Sequence, residues 1–365
     1  MTNFRANFYI KFLFRRDLRK KYCLWSRGRC TGLYYRGTIY SMNAAGGRFI
    51  CLMLQEFPFL IHNPLMFGVT ILGNNSALPA YDRHPTAQVV TLNEQLFLID
   101  CGEGTQMQIA RYKIRRSRIH HIFISHMHGD HYFGLIGLIT SMGLLGREQE
   151  LNIYAPAALA DIIALQLKVA DTVLPFPLHF HPLDKEGVIV EQPKFRVECF
   201  QTFHRIPCWG FIIREKKKPR KIDKEKLSAY NIPAAFYERL KEGADYETSE
   251  GKIIKNESVT FANTPPISYA YCADTRFDES IADKTKGVTI LYHEATYLKD
   301  LEERAHARFH STTIQAAAIA QRAGVKRLLL GHFSSKYELL DLFLAEAKEV
   351  FPDTELAIEG VTYRV

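Results

Sequence analysis

The sequence predicts an α/β protein in which two mixed β-sheets pack face to face and carry helices on their outer surfaces. Three observations support this αββα sandwich. Apolar strand-like segments with interposed helical segments occur in two successive halves of the chain. Polar side chains able to bind metal follow several of the apolar segments. One polar stretch, residues 214–263, interrupts the pattern and is predicted to be an insertion that is either functional or disordered.

The positive charge of the chain is concentrated at its start. The formal net charge is +8 over 365 residues, but residues 1–50 hold eleven Lys or Arg and one acid, so the remainder carries −2. Hydrophobic residues at 47% and charged residues at 24% are typical of a globular protein. Any affinity of the folded domain for nucleic acid must therefore come from local basic patches.

The first 65 residues are predicted to be a basic extension of a domain that spans residues 66–365. A targeting peptide would be serine-rich, which this segment is not, and a secretory signal would place its apolar region nearer the start. A disordered nucleic-acid-binding arm stays open. We favour an upstream stretch added by a misplaced start, with Met53 or Met66 as the true beginning.

Cysteine usage and hydropathy indicate a reducing compartment and no membrane span. The seven cysteines are an odd number and include no Cys-x-x-Cys pair, which is typical of free thiols. The sequence contains no run of about 18 apolar residues. We expect a cytoplasmic protein, with an organelle as the alternative.

The elements of the domain follow from apolar patterning and from turn residues. A strand begins at Phe67, a hairpin follows, and a glycine-containing segment from Asp100 to Gln106 leads into a first helix. Strands are predicted at 67–72, 86–91, 95–99, 121–125, 151–154, 195–202, 208–213, 268–273, 288–292 and 326–331. Later helices are predicted at 133–145, 156–169, 312–323 and 337–350.

The most informative motif is His126-Met-His-Gly-Asp-His131, which follows the apolar run Ile122 to Ile124. It places four metal-competent side chains in six residues, and a loop at a strand end can direct them toward two neighbouring ions. Imidazole and carboxylate ligands suit zinc best, with manganese or iron as alternatives. Paired ions of this kind hydrolyse phosphate esters.

Three further candidates follow apolar strands, namely His204, Asp274 and His332. A lone histidine at a strand end is usually structural or merely exposed. Three such positions in a chain that already carries the histidine loop favour metal ligands instead.

These motifs resemble the metallo-β-lactamase superfamily and, within it, the ribonuclease Z family, endonucleases that remove the 3′ trailer of tRNA precursors. The similarity covers roughly residues 67–365. The histidine loop and the three strand-end residues carry the superfamily resemblance. The narrower resemblance rests on Asp100-Cys-Gly-Glu-Gly-Thr-Gln106, His204-Arg-Ile-Pro207, Ala273-Asp-Thr275, His293-Glu-Ala-Thr296, His310-Ser-Thr312 and Gly331-His-Phe-Ser334.

The resemblance implies two Zn²⁺ per subunit and seven ligands. One zinc would be held by His126, His128 and His204, the second by Asp130, His131 and His332, with Asp274 bridging. A water between two dications is deprotonated near neutral pH, and the bridging hydroxide would attack the scissile phosphorus in line.

Three residues are predicted to act beside the metals. Asp130 orients the nucleophile and is the candidate general base. His310 is expected to stabilise the oxygen that leaves the scissile phosphorus, and Glu294 to hold that imidazole charged, with a purely structural salt bridge as the alternative for Glu294. His293 and Asp100 are expected to support the site, and Thr296 and Thr312 to cap helices or join hydrogen-bond networks.

RNA binding is predicted for the insertion, which occupies the place of the ribonuclease Z flexible arm that clamps tRNA. The candidate phosphate contacts are Lys216, Lys217, Lys218, Arg220 and Lys221. Many relatives have a Gly-Pro pair at the arm tip where this chain has Asn231 to Ala235. A second basic group at residues 111–118 either guides RNA or is a solvated helix face. The resemblance also implies a homodimer acting on precursor tRNA.

Two other functions are considered. A cyclic-nucleotide phosphodiesterase or arylsulfatase-like enzyme of the same fold would keep every metal ligand and would not need the arm. A non-catalytic RNA-binding relative would be expected to have lost ligands, but here all seven are present, with Glu294 and His310.

Overall fold

The computed structural model describes residues 67–365 in full and the backbone of four strands between residues 22 and 53. These two parts are separate compact units. The first unit is an antiparallel meander of four strands in sequential order. They are β1 (Tyr22–Ser26), β2 (Arg29–Tyr35), β3 (Thr38–Ala45) and β4 (Arg48–Met53). The remaining residues before 67, including Met66, lie outside the described part, and the predicted extension with its start site stays a prediction.

The second unit contains the strands and helices of the domain. Its strands are β5 (Phe67–Gly73), β6 (Asn75–Ser76), β7 (Ala87–Leu92), β8 (Gln95–Ile99), β9 (Ile119–Phe123), β10 (Leu151–Ala155), β11 (Leu178–Pro182), β12 (Gly187–Glu191), β13 (Phe195–Thr202), β14 (Cys208–Glu215), β15 (Lys221–Ile222), β16 (Tyr246–Glu247), β17 (Ile253–Ile254), β18 (Thr260–Phe261), β19 (Ser268–Cys272), β20 (Ile290–Glu294), β21 (Arg327–Gly331), β22 (Phe333–Ser334), β23 (Thr354–Leu356) and β24 (Thr362–Arg364). Its helices are α1 (Thr105–Arg111), α2 (Gly129–Tyr132), α3 (Leu135–Leu144), α4 (Ala158–Val169), α5 (Lys224–Tyr230), α6 (Tyr237–Glu242), α7 (Asn256–Val259), α8 (Ser280–Lys284), α9 (Glu302–Arg308), α10 (Thr313–Ala323) and α11 (Asp341–Val350).

Two seven-stranded mixed sheets form the centre of this unit. The first has the order β11-β10-β9-β8-β7-β5-β24, and the second has the order β12-β13-β14-β19-β20-β21-β23. Strands β8 to β11 are parallel, as are β19, β20, β21 and β23, whereas the other pairings are antiparallel. The predicted pair of mixed sheets is confirmed.

Three apolar layers hold the sandwich together. Between the sheets, Phe97, Phe123 and Phe211 belong to one buried cluster. Outside the first sheet, helices α1, α3 and α4 contribute to a second cluster, and outside the second sheet α8, α10 and α11 contribute to a third. Successive strand residues alternate between layers: Phe97 faces the other sheet and Leu98 faces the helices. The predicted αββα layering is therefore confirmed.

The parallel strands bring the candidate site residues to one edge. The loops after β8, β9, β19 and β21 carry Asp100, the histidine loop, Asp274 and His332. Because the carboxyl ends of parallel strands lie at the same side of a sheet, these residues converge although they are far apart in sequence.

Several elements were missed or displaced by the sequence analysis. Strand β9 begins and ends two residues earlier than the predicted 121–125. Strand β11 is an exposed edge strand of the first sheet that contains His and Pro residues, and it was not predicted. Strand β12 was missed although Val188-Ile-Val190 is β-branched and apolar. No helix of residues 67–365 is long and apolar enough to cross a membrane.

The inserted segment has a core of its own, although its sequence is polar and shows no apolar pattern. Leu227, Ile232, Leu240, Ile254 and Val259 are buried together between α5, α6 and the short strands. These apolar residues are separated by charged stretches of unequal length, so they showed no period of 2 or 3.6.

Candidate active site

Two loops approach each other closely at the base of the site. The amide of Cys101 donates to the His131 carbonyl at 2.7 Å, and the amide of Gly134 donates to the Cys101 carbonyl at 2.9 Å. A Cβ on Gly134 would lie 2.2 Å from the Gly102 carbonyl oxygen, so only glycine permits this approach. The contact joins the Asp-Cys-Gly segment to α2, which carries Asp130 and His131.

One group of donor atoms surrounds a single point. His128 Nδ1 lies 2.9 Å from His126 Nε2 and 3.2 Å from His204 Nε2. Asp274 Oδ2 is 3.7 Å from His126 Nε2 and 3.9 Å from His204 Nε2. Four ligand atoms at this spacing can share one ion.

A second group lies directly beside the first. Asp130 Oδ2 is 3.5 Å from both His131 Nε2 and His332 Nε2. Asp274 Oδ1 is 3.4 Å from His131 Nε2 and 3.2 Å from His332 Nε2. The two carboxylate oxygens of Asp274 therefore face different donor groups, so Asp274 has the position of a bridging ligand.

The donor atoms fit metal ions because the protein leaves several of them without a partner. His131 Nε2, His332 Nε2 and Asp274 Oδ1 are buried and accept or donate no hydrogen bond within the described residues. Burying unpaired polar atoms is costly, and a cation between them removes that cost.

The opposite ring nitrogens are held by the protein. His131 Nδ1 lies 2.7 Å from Asp100 Oδ2, His204 Nδ1 lies 2.9 Å from the Phe309 carbonyl, and His332 Nδ1 lies 3.0 Å from Thr296 Oγ1. Each contact fixes which nitrogen faces the ions and how the ring is turned.

Burial and charge set the protonation of the ligands. Burial lowers the pKa of His126 well below its ordinary value and that of His128 to about 4, so both are neutral and ready to bind metal. Burial acts the same way on His131, but the carboxylates of Asp274, Asp130 and Asp100 outweigh it and raise its pKa. Metal binding would therefore displace a proton from His131.

Glu294 and His310 form a buried ion pair beside the donor groups. His310 Nδ1 lies 2.9 Å from Glu294 Oε1 and 4.0 Å from Asp274 Oδ2. Burial alone would lower the pKa of His310, but the Glu294 carboxylate outweighs it and raises that pKa to about 9. Glu294 also accepts hydrogen bonds from the amides of Thr275, Thr296 and Ser311, at 2.9 to 3.1 Å. The Glu294 carboxylate therefore holds three loop segments and the His310 ring in place.

The expected supporting residues have identifiable contacts. Asp100 accepts from the Ser125 amide at 2.7 Å and from its hydroxyl at 2.9 Å, in addition to its contact with His131. Thr312 caps α10 in a capping box with Gln315. His293 is buried, with Nδ1 2.6 Å from the Glu294 carbonyl oxygen. These contacts are structural, as expected.

Several neighbours of the site were missed by the sequence analysis. The Ala77 amide donates to Asp130 Oδ2 at 2.8 Å, and the Tyr271 hydroxyl donates to Asp100 Oδ2 at 2.6 Å. Arg205, Arg304 and Arg308 line a cavity of about 570 Å³ that also contacts the donor groups. Arg205 alone carried a signal, since it lies within the His204-Arg-Ile-Pro motif.

The predicted RNA-binding lysines differ in their surroundings. Lys216 pairs with Glu191, Lys218 Nζ lies 2.8 Å from Glu215 Oε1, and Arg220 Nε donates to Thr260 Oγ1 at 2.7 Å. Lys217 and Lys221 are exposed and have no carboxylate partner within residues 67–365. The second basic group, residues 111–118, lies at the opposite end of β9 from the histidine loop.

Fold and site together define a metal-dependent hydrolase of the metallo-β-lactamase fold. A Bacillus subtilis metallo-β-lactamase fold protein, YhfI, matches with a TM-score of 0.58 at 18% identity, over 81% of this chain and 98% of that one. Human tRNase Z, short form, matches with a TM-score of 0.59 at 25% identity, with the same coverage. Bacteroides fragilis ribonuclease Z is 44% identical over 297 residues, 81% of this chain and 98% of the relative. The chain belongs to the ribonuclease Z family of metal-dependent endoribonucleases.

A family model also matches part of the chain. The model described as anti-Pycsar protein Apyc1 matches residues 67–219. This range holds the histidine loop and His204 but neither Asp274 nor His332. The match therefore adds similarity over the first half of the site.

Proposed function

We propose that this protein cleaves the 3′ trailer from tRNA precursors near the discriminator base, leaving a 3′-hydroxyl on the tRNA and a 5′-phosphate on the trailer. The observation that carries the proposal is the pair of donor groups joined by Asp274, with the Glu294–His310 pair next to them. Membership of the ribonuclease Z family supports the choice of substrate.

Two Zn²⁺ per subunit are the proposed cofactors. His126, His128 and His204 would hold one and Asp130, His131 and His332 the other, with Asp274 shared. When bound, the ions would supply Lewis acidity toward the phosphate and a water acidic enough to react near neutral pH. The histidine-rich donor set suits zinc better than magnesium or calcium.

Asp130 is the proposed residue that orients the attacking water. Burial would raise its pKa, but His131 and His332 outweigh burial and hold the pKa well below the usual range. The side chain is therefore an ionised hydrogen-bond acceptor. The Ala77 amide, 2.8 Å from Oδ2, fixes its direction.

His310 is the proposed donor to the leaving oxygen, which is the 3′-oxygen of the tRNA because the phosphate stays on the trailer. Its Nδ1 faces Glu294, and the residue lines the cavity, which leaves Nε2 to donate to substrate. The charge kept on the ring by Glu294 makes it a hydrogen-bond donor to an oxygen on which negative charge accumulates.

The insertion and a second copy of the chain are the proposed means of holding tRNA. Lys217 and Lys221 are free to contact phosphates, whereas Lys216, Lys218 and Arg220 already have protein partners. A homodimer is supported by exposed apolar side chains near the ends of α3 and α4, namely Leu144, Leu145, Val169 and Val173.

A cytoplasmic location is proposed from the thiols of the domain. Cys101, Cys199, Cys208 and Cys272 are buried and form no disulfide. Unpaired buried thiols are usual in a reducing compartment.

The deciding experiment is incubation of the zinc-loaded protein with a 3′-extended precursor tRNA, followed by mapping of the cut and its end groups. A single cut near the discriminator with the stated end groups is expected. If the protein instead hydrolyses only bis(p-nitrophenyl) phosphate, the substrate is a small phosphodiester and the tRNA proposal is wrong.

A further inference from the structure

Two arginines on one face of helix α9 line the cavity. Arg304 and Arg308 are four residues apart, which makes their side chains neighbours on the helix surface. Both residues are exposed. Within residues 67–365 neither has a carboxylate at ion-pair distance, whereas Arg322 and Arg327 each pair with a glutamate. The Arg304–Arg308 pair therefore brings positive charge to the cavity that no acidic side chain neutralises.

The pair lies beside His310. The guanidinium carbon of Arg304 is 5.8 Å from the centre of the Tyr297 ring, and that ring centre is 6.2 Å from the centre of the His310 ring. Tyr297 and His310 line the same cavity. Arg308 is separated from His310 by a single residue of the chain. The positive charge is therefore on the His310 side of the site.

The direction of the bound RNA follows from the proposed products. The phosphate stays on the trailer, so the leaving oxygen is the 3′-oxygen of the last tRNA nucleoside. If His310 donates to that oxygen, this nucleoside lies on the His310 side of the scissile phosphate. Its own 5′-oxygen carries the next phosphate of the tRNA strand, one nucleotide before the cut. That phosphate is the next anionic group of the RNA on the side where the Arg304–Arg308 pair lies.

We propose that Arg304 and Arg308 bind the tRNA phosphate one nucleotide before the scissile phosphate, an inference that rests on the proposed function. Guanidinium groups bind phosphate through paired, charge-assisted hydrogen bonds. A phosphate contact carries no base identity, so the pair would accept any nucleotide at the end of the tRNA. The contact positions the last tRNA nucleoside, so that its 3′-oxygen lies next to His310.

The test removes the charge first from the protein and then from the RNA. Three precursor tRNAs carry the same 2′-O-methyl groups. The first has phosphates throughout, the second has a neutral methylphosphonate just before the scissile phosphate, and the third has it just after. On the first precursor, Arg304→Ala with Arg308→Ala should raise KM by about 10- to 100-fold, the scale of hydrogen bonds to charged groups. The same double substitution should have no further effect on the second precursor and its full effect on the third.

A matched variant controls for the loss of positive charge alone. Lys299→Ala removes an exposed cation that lies just before α9 and does not line the cavity. Its KM should match that of the unchanged protein on all three precursors. An equal rise of KM in Lys299→Ala would make the effect one of net charge and would overturn the binding site.

The remaining outcomes separate the subsite from the proposed function. The double variant should keep its zinc content and Tm, and loss of either would overturn the assigned role, as would an equal rise of KM on all three precursors. An effect that disappears only on the third precursor would assign the pair to a trailer phosphate and would overturn the proposal as well. If the unchanged protein does not cut even the first precursor, the proposed function itself fails.

Discussion

At the scale of single residues, the site separates side chains that face the ions from side chains that fix their direction. Asp274 has one oxygen toward each donor group. His310 contacts Glu294 through Nδ1, and both donor groups have at least three members without it. His310 also lies close enough to Asp274 and His332 to share an ion with them. On the proposed roles, metal binding and catalysis depend on different residues, so this separation can be measured.

Replacement of Asp274 and of His310 should therefore have different effects. Asp274→Ala should lose bound zinc and cleavage together, since it removes the ligand shared by both groups. His310→Ala should keep zinc and lower kcat on precursor tRNA by about 10²- to 10⁴-fold, the usual contribution of a proton donor. Zinc content is measured by mass spectrometry and kcat by steady-state cleavage. Equal zinc loss in both variants would contradict these roles.

The pH dependence should report the Glu294–His310 pair. The pKa of His310 is raised to about 9, so the charged donor is present below that pH and is lost above it. Glu294→Gln removes the carboxylate charge that raises the pKa of His310. The pH above which kcat/KM decreases should therefore be lower in this variant. The pH profile of precursor cleavage tests this, with zinc content and Tm measured alongside. An unchanged pH dependence in a folded, zinc-loaded variant would exclude His310 as the titrating donor.

Residue types with metal chemistry could be predicted from the sequence, whereas their backbone and cross-sheet partners could not. The histidine loop can be recognised from the sequence because four possible metal ligands lie within six residues. The Ala77 amide that holds Asp130 has no side-chain signal at all. Tyr271 reaches Asp100 from the other sheet, 171 positions away, and one sequence does not reveal such a pairing.

At the scale of elements, the insertion is a small folded lobe on a narrow base. The amide of Glu215 donates to the Ile267 carbonyl at 2.9 Å, so the two ends of the insertion are adjacent. A short linker can therefore replace the lobe without disturbing the pairing of β14 with β19.

Replacing residues 217–264 with a short glycine–serine linker should abolish precursor tRNA cleavage. Hydrolysis of bis(p-nitrophenyl) phosphate should stay within about twofold, because every donor residue lies outside the lobe. A milder control, Lys217→Ala with Lys221→Ala, should lower the salt dependence of tRNA binding by about one unit of slope per lysine. Full precursor cleavage by the linker variant would exclude the lobe from substrate binding.

The regular strands and helices of the sandwich were predictable because burial of one face makes apolar residues recur at regular intervals along the sequence. Buried and exposed residues alternate along much of β13, whereas β14 is buried almost throughout. Both strands begin at the predicted residues. The lobe has two-residue strands and helices of seven residues or fewer, too short for a period to be recognised. Its core is set by tertiary contacts instead.

At the scale of the whole molecule, an apolar surface of the domain lacks a partner within the described chain. Leu144 is 88% exposed at the end of α3, and Val173 is 90% exposed in the loop after α4. A Cβ on Gly143 would lie 3.2 Å from Pro175, which shows that the two segments are neighbours. A second copy of the chain is the occupant proposed above.

Charged residues on this surface should therefore prevent association. The unchanged protein should sediment as a dimer, and Leu144→Asp combined with Val173→Asp should sediment as a monomer of unchanged Tm, since both side chains are exposed. Analytical ultracentrifugation over a range of concentrations measures the state. A monomeric unchanged protein at every concentration would show that the surface has another purpose.

The seven donors also connect the two halves of the sandwich. His126, His128, Asp130 and His131 follow a strand of the first sheet, whereas His204, Asp274 and His332 follow strands of the second. An ion bound at either group therefore bridges both sheets. Each site contributes about 2.7 kcal/mol to folding when free metal is 100 times its dissociation constant. Cells short of the bound metal would thus hold less of the folded enzyme, and its degradation by proteases would follow metal supply.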